Sequence, residues 1–454
     1  MSFTRSDLLD CLGKQIAKGS ERMKQHEANK LLRRFKQAFS EARITALGRA
    51  TGFFKRERKM TPMKMVLSLM SCFAGGQSRT LADIQRSYNA LSTDSIEYKP
   101  FHNQLAKAGF ARFMRELASQ VLSTLVVEVL KPARAGLLAE FGRVLLQDGS
   151  SFAVKDSLRR TFPGRFTPVS PAAVELHVTW NLCRECIEQV VLTPDTSTER
   201  AELPSAKHLR GDLLLADRGY FDRDYLLEVD AQGGHFLVRA QAGINPVVEG
   251  VRSGPRASRV IGQKLKDAQH YFAKDHPNDL DVCWQLGGVA FRCRLVSYWS
   301  VQARQFVHLV TNLPSARYSD EDIAQVYRLR WQIELLFKEW KSHANLRAFS
   351  TANPAIVEGL IWAAVIVAAV KRYLAHSAQI IAAVATSTLR TAKCTWQVIP
   401  AIIEALLTRT PHRLRAAFIR AIEYLAVNAQ RAHPQRDRRS GRLAIGLMPV
   451  FRLA

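Results

Sequence analysis

Six runs of strand length follow one another between residues 143 and 240: RVLLQD, SSFAVKD, ELHVTWNL, IEQVVLT, DLLLAD and GHFLVRA. Each has a short apolar centre bounded by polar or turn-forming residues, as buried strands do. Helical patterns lie before about residue 130 and return at Asp320. A block of strands followed by a block of helices indicates a mixed α/β core. From about 241 to 305 the chain is irregular, with Gly, Pro and alternating strands such as DVCWQL, VAFRCRLVSYW and FVHLVTNLP. This segment reads as a β-rich insertion rather than a continuation of the core.

The N-terminal helices have identifiable starts. Ser6 with Asp7 precedes LLDCLGKQIAKG, and a longer periodic stretch runs from about Glu21 to Leu47. Thr61-Pro62 places a capping hydroxyl and a first-turn proline before MKMVLSLMSCF, which Gly75-Gly76 ends. TLADIQRSYNAL fits another helix, and Lys99 to about Leu130 supplies one or two more. The expected layout is a helical basic region over 1–130, a mixed α/β core over 140–240 and 306–350 interrupted by the 241–305 insertion, and a helical basic region over 351–454.

Charge is where the composition departs from the ordinary: 65 Lys+Arg against 40 Asp+Glu leaves +25. Residues 1–110 hold 20 Lys/Arg and 9 Asp/Glu, and residues 400–454 hold 10 and 3, so the two ends carry most of the excess. Basic ends around a nearly balanced middle suit a core flanked by segments that bind a polyanion such as DNA. Arg56, Arg58 and Lys59, with Lys55 and beside Phe53 and Phe54, are candidate phosphate contacts, although a solvated basic loop has the same composition.

The longest apolar run, Leu360 to Val370, is 11 residues. It falls short of the roughly 20 needed to span a bilayer and reads as a buried helix. MSFTRSDLLDCLGKQ lacks the apolar stretch of a signal peptide, so a cytoplasmic protein is expected. Cys183 and Cys186 form a CxxC with no second pair at zinc spacing, and read as reduced structural thiols.

Two aspartates end apolar runs: Asp148 in VLLQDGSS and Asp217 in LLLADRGYF. A carboxylate just past a buried strand is rigidly held yet faces a cleft, as a metal ligand must be. Asp followed by Gly is also a common turn former. The third element is YRLRWQIELLFKEWK over residues 327–341. As one helix it sets Tyr327, Arg330, Glu334 and Lys341 within an arc of about 60°. Leu329, Ile333, Leu336 and Trp340 then fall on a separate apolar face. By itself the segment equally fits an amphipathic surface helix with a Glu334–Lys338 ion pair.

Together Asp148, Asp217 and Glu334 describe an oxygen-donor site for Mg²⁺ or Mn²⁺. Two such ions about 4 Å apart can activate a nucleophile and stabilise a leaving oxygen at phosphorus. Arg330, Lys341 and Lys338 would hold phosphates, and Tyr327 could donate to a phosphate or stack on a base.

The pattern resembles the DDE transposases of the insertion-sequence-4 type, whose signature is Tyr, two residues, Arg, three residues, Glu, six residues, Lys. Tyr327, Arg330, Glu334 and Lys341 match it. Asp148-Gly149-Ser150, the DRGYF segment (Asp217 to Phe221), FLVRA and VTNLP (Val310 to Pro314) match its surroundings, and GFFKRERKMTP looks like the family's helical lead-in.

The resemblance implies a ribonuclease H-like core and Asp148, Asp217 and Glu334 as both catalytic and metal-binding triad. It further implies double-stranded DNA as partner, cleavage at terminal inverted repeats through a DNA hairpin, and transfer of 3′-hydroxyl ends to target DNA. A homodimeric synaptic complex and association with the nucleoid follow from the same likeness. One position departs: where the best-known relative has a base-holding Trp, seven residues before the Pro of the VTNLP-like segment, this chain has Val307. Trp299 or Trp284 could then supply a stacking surface. A DNA-binding protein without catalysis, or a ribonuclease H-like nuclease without strand transfer, would share much of this sequence.

Overall fold

The computed structural model describes residues 24–55, 59–75, 80–91, 94–343, 351–433, 442 and 444–450. Helix signals at Ser6 and Asp7, and the phosphate contacts assigned to Arg56 and Arg58, lie outside these. Contacts separate two compact units: Met1–Val129 with Glu339–Pro434 and Pro449–Ala454, and Leu130–Lys338 with Gln435–Met448.

The first unit is helical, and its terminal segments, expected as separate regions, build one core. Helix Pro354–Ala382 is its axis. It is long and apolar enough to cross a membrane by length and composition, yet most of it is buried inside the structure. Gly359 lets it approach helix Ala108–Thr124, since a Cβ there would lie 2.3 Å from the Phe110 ring. Tyr373 donates to the carbonyl of Leu31 at 2.6 Å, and Phe35 and Phe418 pack beside it. Helix Pro62–Ala74 starts where Thr61 accepts from the Lys64 N–H, and Leu81–Ala90 opens with a reciprocal Thr80/Asp83 capping box. The stretch expected from Glu21 to Leu47 is two helices, 24–38 and Glu41–Ala50. Ser40, extended at φ −72° and ψ 120°, breaks the continuity that the periodicity alone could not detect.

The second unit is built on a sheet. Its strands are β1 (Leu130–Pro132), β2 (Val144–Ala153), β3 (Ala173–Asn181), β4 (Cys186–Pro194), β5 (Leu213–Ala216), β6 (His235–Arg239), β7 (Val247–Ser253), β8 (Asn278–Leu286), β9 (Val289–Ser300), β10 (Gln305–Thr311) and β11 (Leu447–Pro449). β1 pairs with β11, and the other nine form one sheet in the order β4-β3-β2-β5-β6-β10-β9-β8-β7. Within the nine-stranded sheet β2, β5 and β6 are parallel neighbours, and every other pairing is antiparallel. In the parallel centre β5 is buried along its whole length and β6 at its three central residues, as short apolar runs in a parallel sheet require.

Two expectations change here. The 241–305 segment is inserted in sequence but continuous in space, because β10 pairs along its whole length with Arg294 to Ser300 of β9. RVLLQD and SSFAVKD, read as two strands, are the single strand β2: Asp148 pairs opposite Val178 and Gly149 opposite His177, with no turn between. Gly149 is required by close approach. A Cβ would sit 2.5 Å from Glu175 Oε1 and 2.9 Å from the Tyr220 hydroxyl. Cys183 lies in the β3–β4 turn and Cys186 opens β4.

Candidate active site

Strand register brings the two aspartates together. β2 and β5 run parallel with Gln147 beside Ala216, so the next residue on each strand is Asp148 and Asp217. β5 ends there, and Asp217 caps a 3₁₀ turn, Arg218–Tyr220. β2 continues on β3 alone, which leaves Asp148 mid-strand at the edge of the cleft that the end of β5 opens. Ligands in α/β sheets commonly bind beyond such strand ends. On the neighbouring β6, Arg239 comes within 4.0 Å of Asp217.

The third carboxylate arrives from two helices rather than one. Asp320–Arg328 opens with a Ser319/Asp322 capping box, and Trp331–His343 follows it. Between them the hydrogen bonds shorten to i→i+3: Leu329 to Val326, Arg330 to Tyr327, Gln332 to Leu329 and Ile333 to Arg330. The single arc expected for Tyr327 through Lys341 is therefore broken at Leu329–Arg330. Glu334 and Lys341, seven residues apart on the second helix, still share a face. Ile333, Leu336 and Trp340 anchor that helix, each at most 1% exposed.

Arg330, at the break, forks across the site. One terminal nitrogen donates to Asp148 Oδ2 at 3.0 Å and the other to Glu334 Oε1 at 2.6 Å. Tyr327 donates to Asp217 Oδ1 at 3.2 Å, and the Arg330 guanidinium lies 5.9 Å from its ring centroid. Arg330 Nε is buried with no hydrogen-bond partner. Burial pushes the Asp148 carboxyl up to about 7, with Asp217 and Glu334 adding to the rise while Arg330 and the Gly149 N–H oppose it. Burial, reinforced by Asp217, holds the Tyr327 phenol far above its ordinary value, so it stays a neutral donor.

Three carboxylates and no sulfur or imidazole form a donor set for a hard divalent cation. They are arrayed around the guanidinium, and among the described residues no three acidic, His or Cys side chains already converge as a metal cluster. The donor chemistry fits, and the position between Asp148 and Glu334 already holds one cation, Arg330.

The remaining assignments scatter. Lys338 is exposed, and Glu334 pairs with Arg330 rather than with it. In the helical unit Lys59, Lys55 and Lys107 line a cavity of about 1060 Å³. Phe53 and Phe54 are core residues at 1% and 4% exposure, packed on Phe110 and Phe113, and offer no stacking face. Val307 is buried in β10. Trp299 has Lys274 Nζ 4.3 Å from its centroid, and Trp284 lines a cavity of about 440 Å³ with Arg200, Arg223, Gln241 and Asn245.

Sequence reasoning missed Trp331, which is 64% exposed next to Arg330. Its place off the apolar face of the helix was the available signal. It also missed the network beneath Gly149. His177 Nδ1 meets the Tyr220 hydroxyl at 2.8 Å and its Nε2 meets Thr193 Oγ1 at 3.0 Å. Burial, then Arg165, lowers His177 to about 4. Tyr220 closes the turn begun by Asp217, so this chain ties that turn to β3 and β4.

The sequence matches the family described as the transposase DDE domain over residues 140–370, just over half of the 454 residues. It is similar to the transposase for insertion sequence element IS1151 of Clostridium perfringens, 21% identical over 350 residues that cover 69% of this chain and 73% of that one. The transposase for IS231C of Bacillus thuringiensis subsp. berliner is 20% identical over 344 residues, covering 68% and 72%. A shorter likeness, 43% identity over 70 residues, links it to the transposase for IS421 of Escherichia coli, covering 15% and 19%.

Proposed function

This chain belongs to the family of DDE-domain transposases, and from that premise we propose that Asp148, Asp217 and Glu334 are its catalytic and metal-binding triad, acting on the DNA ends of an insertion sequence. The observation that carries the reading is the β2–β5 register, which sets the two aspartates side by side, with Glu334 linked to Asp148 through Arg330. The strand order β4-β3-β2-β5-β6, three antiparallel strands and then two parallel ones, supports a ribonuclease H-like core.

Asp148, Asp217 and Glu334 would hold Mg²⁺ or Mn²⁺, as one or two ions. When bound, such ions supply Lewis-acid stabilisation of charge at phosphorus and ease deprotonation of the attacking group. The protein's own side chains orient the phosphodiester. Arg330 presents a planar fork suited to phosphate oxygens, and Lys341 offers a point charge two turns beyond Glu334 on the second helix. Tyr327, held neutral, donates a hydrogen bond and cannot act as a base at neutral pH. The Lys55, Lys59 and Lys107 cavity and the basic C-terminal region give the flanking duplex phosphates cationic partners. Cleavage at terminal repeats through a hairpin, joining of the 3′-hydroxyl to target DNA, a homodimeric complex and insertion-sequence-4 type complete the proposal.

The test is cleavage of a duplex carrying the ends of the element that encodes the chain. Asp148→Asn, Asp217→Asn and Glu334→Gln are each expected to abolish divalent-dependent cleavage while the duplex still binds. Undiminished cutting by all three would refute the assignment. Joining of cut ends to a plasmid separates a transposase from a nuclease that only cuts.

A further inference from the structure

Arg330 makes two ion pairs, and both are to carboxylates of the proposed triad, at 3.0 Å to Asp148 and 2.6 Å to Glu334. The Asp148 side chain is only 16% exposed, so a cation beside it is needed while it is ionised. A divalent ion on Asp148 Oδ2 and Glu334 Oε1 would use the oxygens that Arg330 now holds. The two cations therefore compete for these atoms, and their like charges repel across them.

The present place of the guanidinium is also incompletely satisfied. Arg330 stands at the 3₁₀ junction between two helices, where a change of a few dihedrals swings the side chain without moving a strand. Its Nε has no partner in the present position, so one of its five donors is buried unsatisfied. A phosphate accepts two parallel N–H bonds from such a fork, which a carboxylate pair split between two residues does not offer.

We propose that Arg330 is an exchangeable counter-ion of the triad: it neutralises Asp148 and Glu334 until a DNA phosphate draws it away, so DNA engagement and divalent-cation loading reinforce each other. The inference rests on the triad being the metal site. By linkage, the factor by which DNA tightens the metal equals the factor by which the metal tightens DNA. A factor on the order of tenfold is expected, in the ordinary range for coupled sites.

The experiment measures Mn²⁺ binding to the full chain by the loss of the free-ion paramagnetic resonance signal, without and with a duplex of the element's ends. Wild type should bind Mn²⁺ about tenfold more tightly with the duplex. Arg330→Gln should bind Mn²⁺ several-fold more tightly than wild type without DNA, and lose most of the duplex effect. Arg330→Lys, which keeps the charge without the fork, should fall between them and serves if the Gln variant does not fold. Arg330 variants that bind Mn²⁺ no more tightly than wild type without DNA would overturn the counter-ion role. Asp148→Asn in the same titration tests the underlying reading: unchanged Mn²⁺ binding there defeats the triad itself, whatever Arg330 does.

Discussion

Two arginines sit among carboxylates on opposite faces of β2, and they are held in different ways. On one face Arg330 faces Asp148, Asp217 and Glu334. On the other, reached by the alternation of strand side chains, Arg165 faces Glu175, Asp195 and Glu199. Arg165 uses every side-chain nitrogen: Nε to the Asp195 carbonyl at 3.2 Å, and the two terminal nitrogens to Glu199 at 3.2 Å and Glu175 at 3.4 Å. Its backbone N–H also donates to Asp195 at 2.7 Å. Arg330 leaves Nε without a partner and hangs from a helix junction. Similar charges thus give a brace on one face and a replaceable cation on the other. What separates them is how completely the donors are satisfied.

The largest effect that could break this contrast is chemical. Asp217→Asn is expected to lower divalent-dependent cleavage by on the order of 1000-fold or more, whereas Arg165→Lys should leave it within about tenfold, with both read from initial rates on the same duplex. If the two losses were equal, the faces would not have separate roles.

Stability should report on the braced face. Gly149→Ala puts a methyl against Glu175 and Tyr220, and overpacking of that kind costs about 1–3 kcal/mol, visible as a lower denaturation midpoint. A neutral result would mean that the close approach relaxes freely.

Proton linkage gives a smaller signal there. Burial, then Glu199, pushes Glu175 up to about 7 from an ordinary 4.5. The folded state therefore holds this proton more tightly than the unfolded chain does. Stability from this group is fully present below about pH 4.5 and is lost as pH rises to about 7, levelling off above it. Glu175→Gln, which mimics the protonated form, should stabilise the protein at pH 8 by about 1–3 kcal/mol and change little at pH 4.5. Equal effects at both pH values would show that the carboxyl titrates normally.

The smallest expected effect concerns phosphate contacts. Lys59→Ala or Lys107→Ala should each reduce the slope of log affinity against log salt by about 1, measured by fluorescence anisotropy of a labelled duplex. An unchanged slope would remove that cavity from the DNA path.

The comparison also shows where sequence reasoning stops. Residue types and spacing pointed to Asp148, Asp217, Tyr327, Arg330 and Glu334, and the structure gathers them, because apolar run lengths and motif intervals are local properties. Register is not local. That Gln147 lies beside Ala216, and that β9 joins β10 to extend the core sheet, depend on long-range pairing. Asp148-Gly149 looks like a turn in sequence, while the strand runs through it because Glu175 and Tyr220 need the space. The break at Leu329–Arg330 was invisible to a 100° repeat, since no Pro or Gly marks it. The helical ends merged into one unit for a similar reason. Phe35, Tyr373 and Phe418 meet only in three dimensions.

The central claim is that Asp148, Asp217 and Glu334 share one divalent cation site. Replacing Mg²⁺ with Fe²⁺ in the presence of ascorbate and peroxide cuts the polypeptide where the metal binds. Cuts are expected near residues 148, 217 and 334, suppressed by excess Mg²⁺ and by Asp217→Asn. Cuts confined to other segments, or unchanged in that variant, would contradict it.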